Sequence, residues 1–219
     1  MPNLYTTTND GTITTGNESS WSNARDKTTG TVDDTGGNAT PLIFRTSGRG
    51  ATTFRVGRFF MPFDTSGITG TVSAATLKLT MSGTDSSYIA IESQQSDPLV
   101  GGDFDDVNFS TPFSAEVSSS SGVVDFVLNS TFRANMQSED SIGIAIVNYP
   151  HDYSDSAPTS DVNFTDIIKT TNNSGTSLHP YIEYTIATGY GNAVNGVAAA
   201  NIGKVNGVAT ASISKVNGI

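Results

Sequence analysis

Seven stretches of this chain alternate apolar and polar side chains with the two-residue period of a half-buried strand, or run apolar for the length of one. They are Thr53–Met61, Ala75–Met81, Tyr88–Glu92, Gly122–Leu128, Ser141–Val147, Asp161–Phe164 and Tyr181–Ile186. Turn clusters separate them, among them Ser82-Gly83-Thr84-Asp85, Ser118–Gly122 and Asn172-Asn173-Ser174-Gly175. Successive strands divided by short turns predict an all-β sandwich or barrel rather than a helical fold. Composition agrees: 27 Ser and 30 Thr make about a quarter of the 219 residues, favouring strands and turns over helix. Two short helices are expected as connectors. One spans Ser19–Asp26 with a serine cap, and one follows Asn129, whose side chain suits an N-cap.

Charge divides the chain in two. Every Asp and Glu lies at or before Glu183, so the body carries 21 acids against nine bases (9 − 21 = −12), and only Lys204 and Lys215 follow. An acidic body has no general grip on phosphate backbones, so no nucleic-acid partner is expected. No apolar run reaches the roughly 18–20 residues of a membrane span. The start, Met1-Pro2-Asn3-Leu4-Tyr5-Thr6, lacks a basic and an apolar region, so synthesis in a host cytoplasm without a signal peptide is expected. Cysteine is absent, excluding disulfides, thiolate catalysis and thiolate zinc sites.

The last stretch repeats. Ala193-Val194-Asn195-Gly196-Val197, Lys204-Val205-Asn206-Gly207-Val208 and Lys215-Val216-Asn217-Gly218-Ile219 recur every 11 residues, with Ile202 and Ile213 in register between them. Asn-Gly between β-branched residues is the strongest two-residue hairpin signal, because a type I′ turn needs two positive φ angles. Such small hairpins are marginal alone and need a second surface. Val194, Val197, Ile202, Val205, Val208, Ile213, Val216 and Ile219 are therefore the expected assembly or docking stripe. Its cover is either the same stripe in other copies, a trimeric stem being one such arrangement, or a groove on a larger particle. The ordinary alternative is a flexible low-complexity extension. The domain division expected is 1–187 for the sandwich and 188–219 for the tail.

Chemistry is sparse. His151 and His179 each neighbour a proline in a turn, with no nucleophile elbow, phosphate loop or histidine ligand pair nearby, so no enzyme is expected. Asp103, Asp105 and Asp106 follow Gly101-Gly102 and are the candidate metal ligands, with Ca²⁺ the ion such oxygens would take; solvated loop acids are the bland alternative, and no other cofactor is expected. A glycosidase would need two carboxylates at a set separation, and the sequence pairs none of them. Trp21, Tyr149 and Tyr153, with Tyr190, are the candidate platform for a glycan, since flat rings stack on sugar faces. Trp21, with Ala24 three residues on, equally suits a packed helix face.

The body resembles the jelly-roll domains, similar to carbohydrate-binding modules, of phage virion proteins and some bacterial surface proteins. The residues that carry this are Asp10-Gly11, Trp21-Ser22-Asn23-Ala24-Arg25, Gly30-Thr31-Val32-Asp33-Asp34 and Gly57-Arg58-Phe59-Phe60-Met61-Pro62-Phe63-Asp64-Thr65-Ser66. Val72–Leu79, Val127-Leu128-Asn129, Ala157-Pro158-Thr159 and the closing His179-Pro180-Tyr181-Ile182-Glu183-Tyr184 continue it over most of 1–187, with His179 where the family often has Arg. The tail is similar to the Ile-x-Lys-Val-Asn-Gly-Val repeats near the C-termini of tailed-phage structural proteins. Together the resemblances imply a jelly-roll β-sandwich with a β-repeat tail, localised to a virion as a head fibre, capsid decoration or tail-associated adhesin. They imply partners in further copies of the chain and in other virion proteins such as the capsid. Host glycans are the alternative ligand, and a glycosidase or depolymerase a further one.

Overall fold

The computed structural model describes residues 1–187 and the backbone of two short strands near the end of the chain. Residues 3–186 form an all-β sandwich of two antiparallel sheets, compatible with a jelly roll. The smaller sheet centres on β7 (Val72–Ser82), flanked by β11 (Gly122–Val127) on one side. On the other side run β15 (Tyr181–Ile186) and β14 (Ile167–Lys169), which lead out to β1 (Asn3–Tyr5) and β4 (Asn38–Ala39). The larger sheet centres on β6 (Thr52–Asp64). β2 (Gly11–Thr14) and then β3 (Thr31–Asp33) lie beside β6 on one flank. β12 (Ser141–Asn148) and β5 (Ile43–Ser47) share its other flank. β8 (Ser87–Ser93) lies beyond β12 with β9 (Val107–Pro112) and β10 (Val117–Ser118), and β13 (Val162–Phe164) lies beyond β5.

All seven expected strands are present, and burial explains their two sequence styles. β7 alternates: Leu77, Leu79 and Met81 point inward while Lys78 and Thr80 face out, because only one side of that sheet is covered. β6, β8 and β12 are buried residue after residue because both faces of the larger sheet are covered. Phe59, Met61, Phe63, Tyr88, Ala90, Ile144 and Ile146 enter the core between the sheets. Their neighbours Phe60, Ile89, Ile91, Ala145 and Val147 enter a second core on the far side.

The helices plug the two cores. α2 (Ser130–Ser138) starts where Asn129 Oδ1 accepts the Phe132 amide, and it inserts Phe132 and Met136 between the sheets. Phe132 meets Phe113 edge-on at 5.0 Å between centroids. α1 (Trp21–Arg25) starts where Ser20 Oγ accepts the Asn23 amide, and it inserts Trp21 and Ala24 into the second core. Near the chain end, β16 (Lys204–Val205) pairs antiparallel with β17 (Val208–Ala209), Val205 opposite Val208. That is the pairing expected of one Val-Asn-Gly-Val unit. Val194, Val197, Ile202, Ile213, Val216 and Ile219 lie outside the described residues, as do Tyr190 and the side chains of Val205 and Val208.

Candidate functional site: aromatic rings around a buried ion pair

The second core is built on a charge. Arg58 stands in the apolar run of β6 with its side chain 1% exposed. Its Nε and Nη2 donate to the two oxygens of Asp152, both at 2.8 Å, in the bidentate geometry a guanidinium and a carboxylate favour. Nη1 donates to the Phe104 carbonyl at 2.6 Å, and Nη2 to the Arg25 carbonyl at 2.8 Å. The Phe104 and Phe109 rings lie 4.1 and 5.0 Å from its Cζ. A buried charge is tolerable only when paired and hydrogen-bonded, and here each of the three guanidinium nitrogens has at least one acceptor. One side chain thereby ties together β6, α1, the Gly101–Phe104 turn and the segment after β12.

That segment, Tyr149–Tyr153, is a single π-helical turn capped by Asn148, whose Oδ1 accepts the His151 amide. Asp152 points from it into the core, while Tyr149 and Tyr153 stack on each other outside, 5.4 Å apart and 17° from parallel. Both are half-buried, and Phe109 of β9 follows at 6.3 Å from Tyr153. The Arg25 guanidinium sits 4.4 Å from the Phe109 ring centre, and its Nε donates to the Asp152 carbonyl. On the other flank, Trp21 donates Nε1 to Asp155, a residue with φ of 47° that an Asp tolerates. Trp21 is 9% exposed, edged by Phe54 at 6.2 Å and His151 at 6.4 Å, and His151 in turn stacks on Phe164.

The structure thus brings Trp21, Tyr149 and Tyr153 to one face from positions more than 120 residues apart. Trp21 serves there as packing, whereas Tyr149, Tyr153 and Phe109 make a half-exposed row beside Arg25 and Asp155. Such a row can stack against an apolar sugar face while the flanking charged groups bond hydroxyls. The sequence does not single out Phe109, Phe54 and Phe164, and it presents His151 only as an ordinary histidine beside a proline. The alternation Val107-Asn108-Phe109 was the available signal for Phe109.

The acidic triplet is divided. Asp103 is 1% exposed and accepts Ser96 Oγ at 2.9 Å and the Val100 amide at 2.8 Å, closing the turn that delivers the Phe104 carbonyl to Arg58. Asp105 and Asp106 are exposed. Loss of water, and then the neighbouring charges of Asp103 and Asp105, push the Asp106 carboxyl above its ordinary value. Among the described residues, no three His, Asp or Glu side chains are grouped to hold a metal ion. Each imidazole donates to a backbone carbonyl, His151 Nδ1 to Ser156 and His179 Nε2 to Asn173. No helix among the described residues is long and apolar enough to cross a membrane. The chain matches no protein-family model and no curated protein.

Proposed function

We propose that this chain is a non-enzymatic structural protein of a tailed-phage particle, a head fibre, capsid decoration or tail-associated adhesin. In this reading the sandwich is a projecting acidic head, and the repeat tail joins copies of the chain or seats it on the particle. The observation that carries it is the contrast between head and tail. The head closes its own cores and holds all 21 acids, whereas the acid-free tail repeats a hairpin unit too small to stand alone, one copy of which pairs Val205 with Val208. The likeness of the tail to phage structural repeats supports the setting, and capsid proteins and further copies of the chain are its partners.

The test replaces Val205 and Val208 with Asp in the full-length chain, placing charge on the stripe. Light scattering should fall from an oligomer to a monomer, and particle incorporation should be lost, with the head's thermal transition unchanged. An unchanged oligomer that still enters particles would refute the proposal. The row Phe109–Tyr153–Tyr149 favours a second reading, binding of host-surface glycans, and the two roles are compatible in one fibre. Tyr153→Ala should then abolish retention on a polysaccharide affinity gel without altering oligomer mass. Retention equal to wild type would refute that reading.

A further inference from the structure

The larger sheet outruns the smaller one, and the part of its inner face left uncovered changes character. Along β6 the inward positions Phe63, Met61 and Phe59 lie in the core between the sheets, but the next two inward positions are Gly57 and Arg55. Register places Thr14 opposite Gly57, Thr12 opposite Phe59 and Asp33 opposite Thr12 on one flank. On the other flank Phe44 faces Arg55 and Asn163 faces Phe44. Arg55 lies between two adjoining hollows of 340 and 430 Å³, both lined by Thr14, Asp33 and Arg55. A side chain at Gly57 would press on Leu42 and on Thr14 Oγ1, at 3.0 and 3.1 Å, so glycine keeps the floor low.

The wall chemistry is selective. Arg55 is half-buried with its Cζ 5.7 Å from the Phe44 ring centre, and among the described residues it makes no ion pair with a carboxylate. Lys169 likewise has no carboxylate partner; its ammonium donates at 2.7 Å to Oδ1 of Asn38, a residue of the cleft wall. In a body of net charge −12, Arg55 lines the cleft and Lys169 is bonded to its Asn38 wall, neither of them spent on a carboxylate. The acid present, Asp33, already accepts the Gly36 amide and keeps an oxygen for a hydroxyl donor. The remaining walls are Thr hydroxyls, the Asn38 and Asn163 amides and Leu42 in one hollow, with Gly16 and Asn17 joining the Thr hydroxyls in the other.

We infer that this cleft binds a saccharide that carries a carboxylate, a uronic-acid unit of an acidic polysaccharide. The Arg55 fork takes the carboxylate in bidentate fashion, Phe44 holding the guanidinium plane, and Thr14, Asn163 and Asp33 take ring hydroxyls. This site lies on the face of β6 opposite to the one that carries Arg58 and Phe60, so it is separate from the tyrosine row. It is also independent of how the tail assembles.

Calorimetric titration of the full-length protein with oligogalacturonate, and with the same oligomer methyl-esterified, tests the inference. The acid should bind and the ester should bind at least tenfold more weakly. Arg55→Met should cost at least tenfold, Arg55→Lys less, and Asn163→Asp, an isosteric change at an exposed position, should weaken binding by repelling the carboxylate. Absence of binding to the folded wild type, equal binding of acid and ester, or binding indifferent to both Arg55→Met and Asn163→Asp would each overturn it. Light scattering on the same samples reads self-association separately, since a monomer that binds the acid would uphold the site and leave particle docking, rather than joining of copies, as the role of the tail.

Discussion

Removing either partner of the Arg58–Asp152 pair should be among the most costly single changes in this protein. In Asp152→Ala a guanidinium that is 1% exposed loses both 2.8 Å bonds to its counter-charge but keeps the carbonyls of Phe104 and Arg25 and two aromatic rings. In Arg58→Met the carboxylate stays buried without its fork, and two backbone carbonyls lose their donor as well. Breaking a buried pair from one side costs about 3–5 kcal/mol. Asp152→Ala belongs near the bottom of that range and Arg58→Met near the top, because an orphaned carbonyl adds roughly 1–3 kcal/mol. At about 2–4 °C per kcal/mol for a chain of this size, the melting temperature should fall by roughly 6–20 °C. The double variant should lose less than the sum of the two, since it leaves neither charge stranded. Urea unfolding followed by Trp21 fluorescence reads all three, the indole being bonded to Asp155 three residues from Asp152. An Asp152→Ala protein within about 1 kcal/mol of wild type, or strictly additive losses, would refute the view that this pair organises the second core.

Two further outcomes follow from single residues. Burial raises the Asp10 carboxyl above its ordinary 3.8, against the lowering effect of bonds from Thr171. An acid with a raised folded-state value binds its proton more tightly when folded. Its favourable contribution is therefore complete below the unfolded value and is lost as pH climbs through the raised one. Asp10→Asn should remove that part of the decline, and identical stability–pH curves for variant and wild type would contradict it. Asn129→Ala deprives α2 of its cap and the Pro112 carbonyl of a 2.6 Å donor, and should cost about 1–2 kcal/mol in denaturant unfolding.

What was legible in the sequence was whatever local physics dictates. Period-two alternation located β7, β11 and the other long strands, and the capping chemistry of Ser20 and Asn129 located both helices. Asn-Gly between valines specified which residues of a repeat unit face each other. The early strands β1 to β5 were not legible. A segment such as Gly-Thr-Ile-Thr has too little pattern of its own and becomes a strand by pairing with Phe60 and Gly57 of β6 more than 40 residues away. The run Val56–Phe63 announced burial but not that its side chains divide between two cores, because which faces are covered depends on elements elsewhere in the chain.

The same division applies to the sites. Arg58 in an apolar strand could be read as an anomaly, but its partner lies 94 residues further on. Trp21 could be named as an aromatic of interest, but whether it would be a platform or a plug was settled by Phe54 and His151 closing over it. Backbone preference and side-chain period act over a few residues and are written in the chain. Burial, ion pairing and the difference in extent between two sheets arise only when distant segments compete for the same space, and the tertiary structure alone decided them.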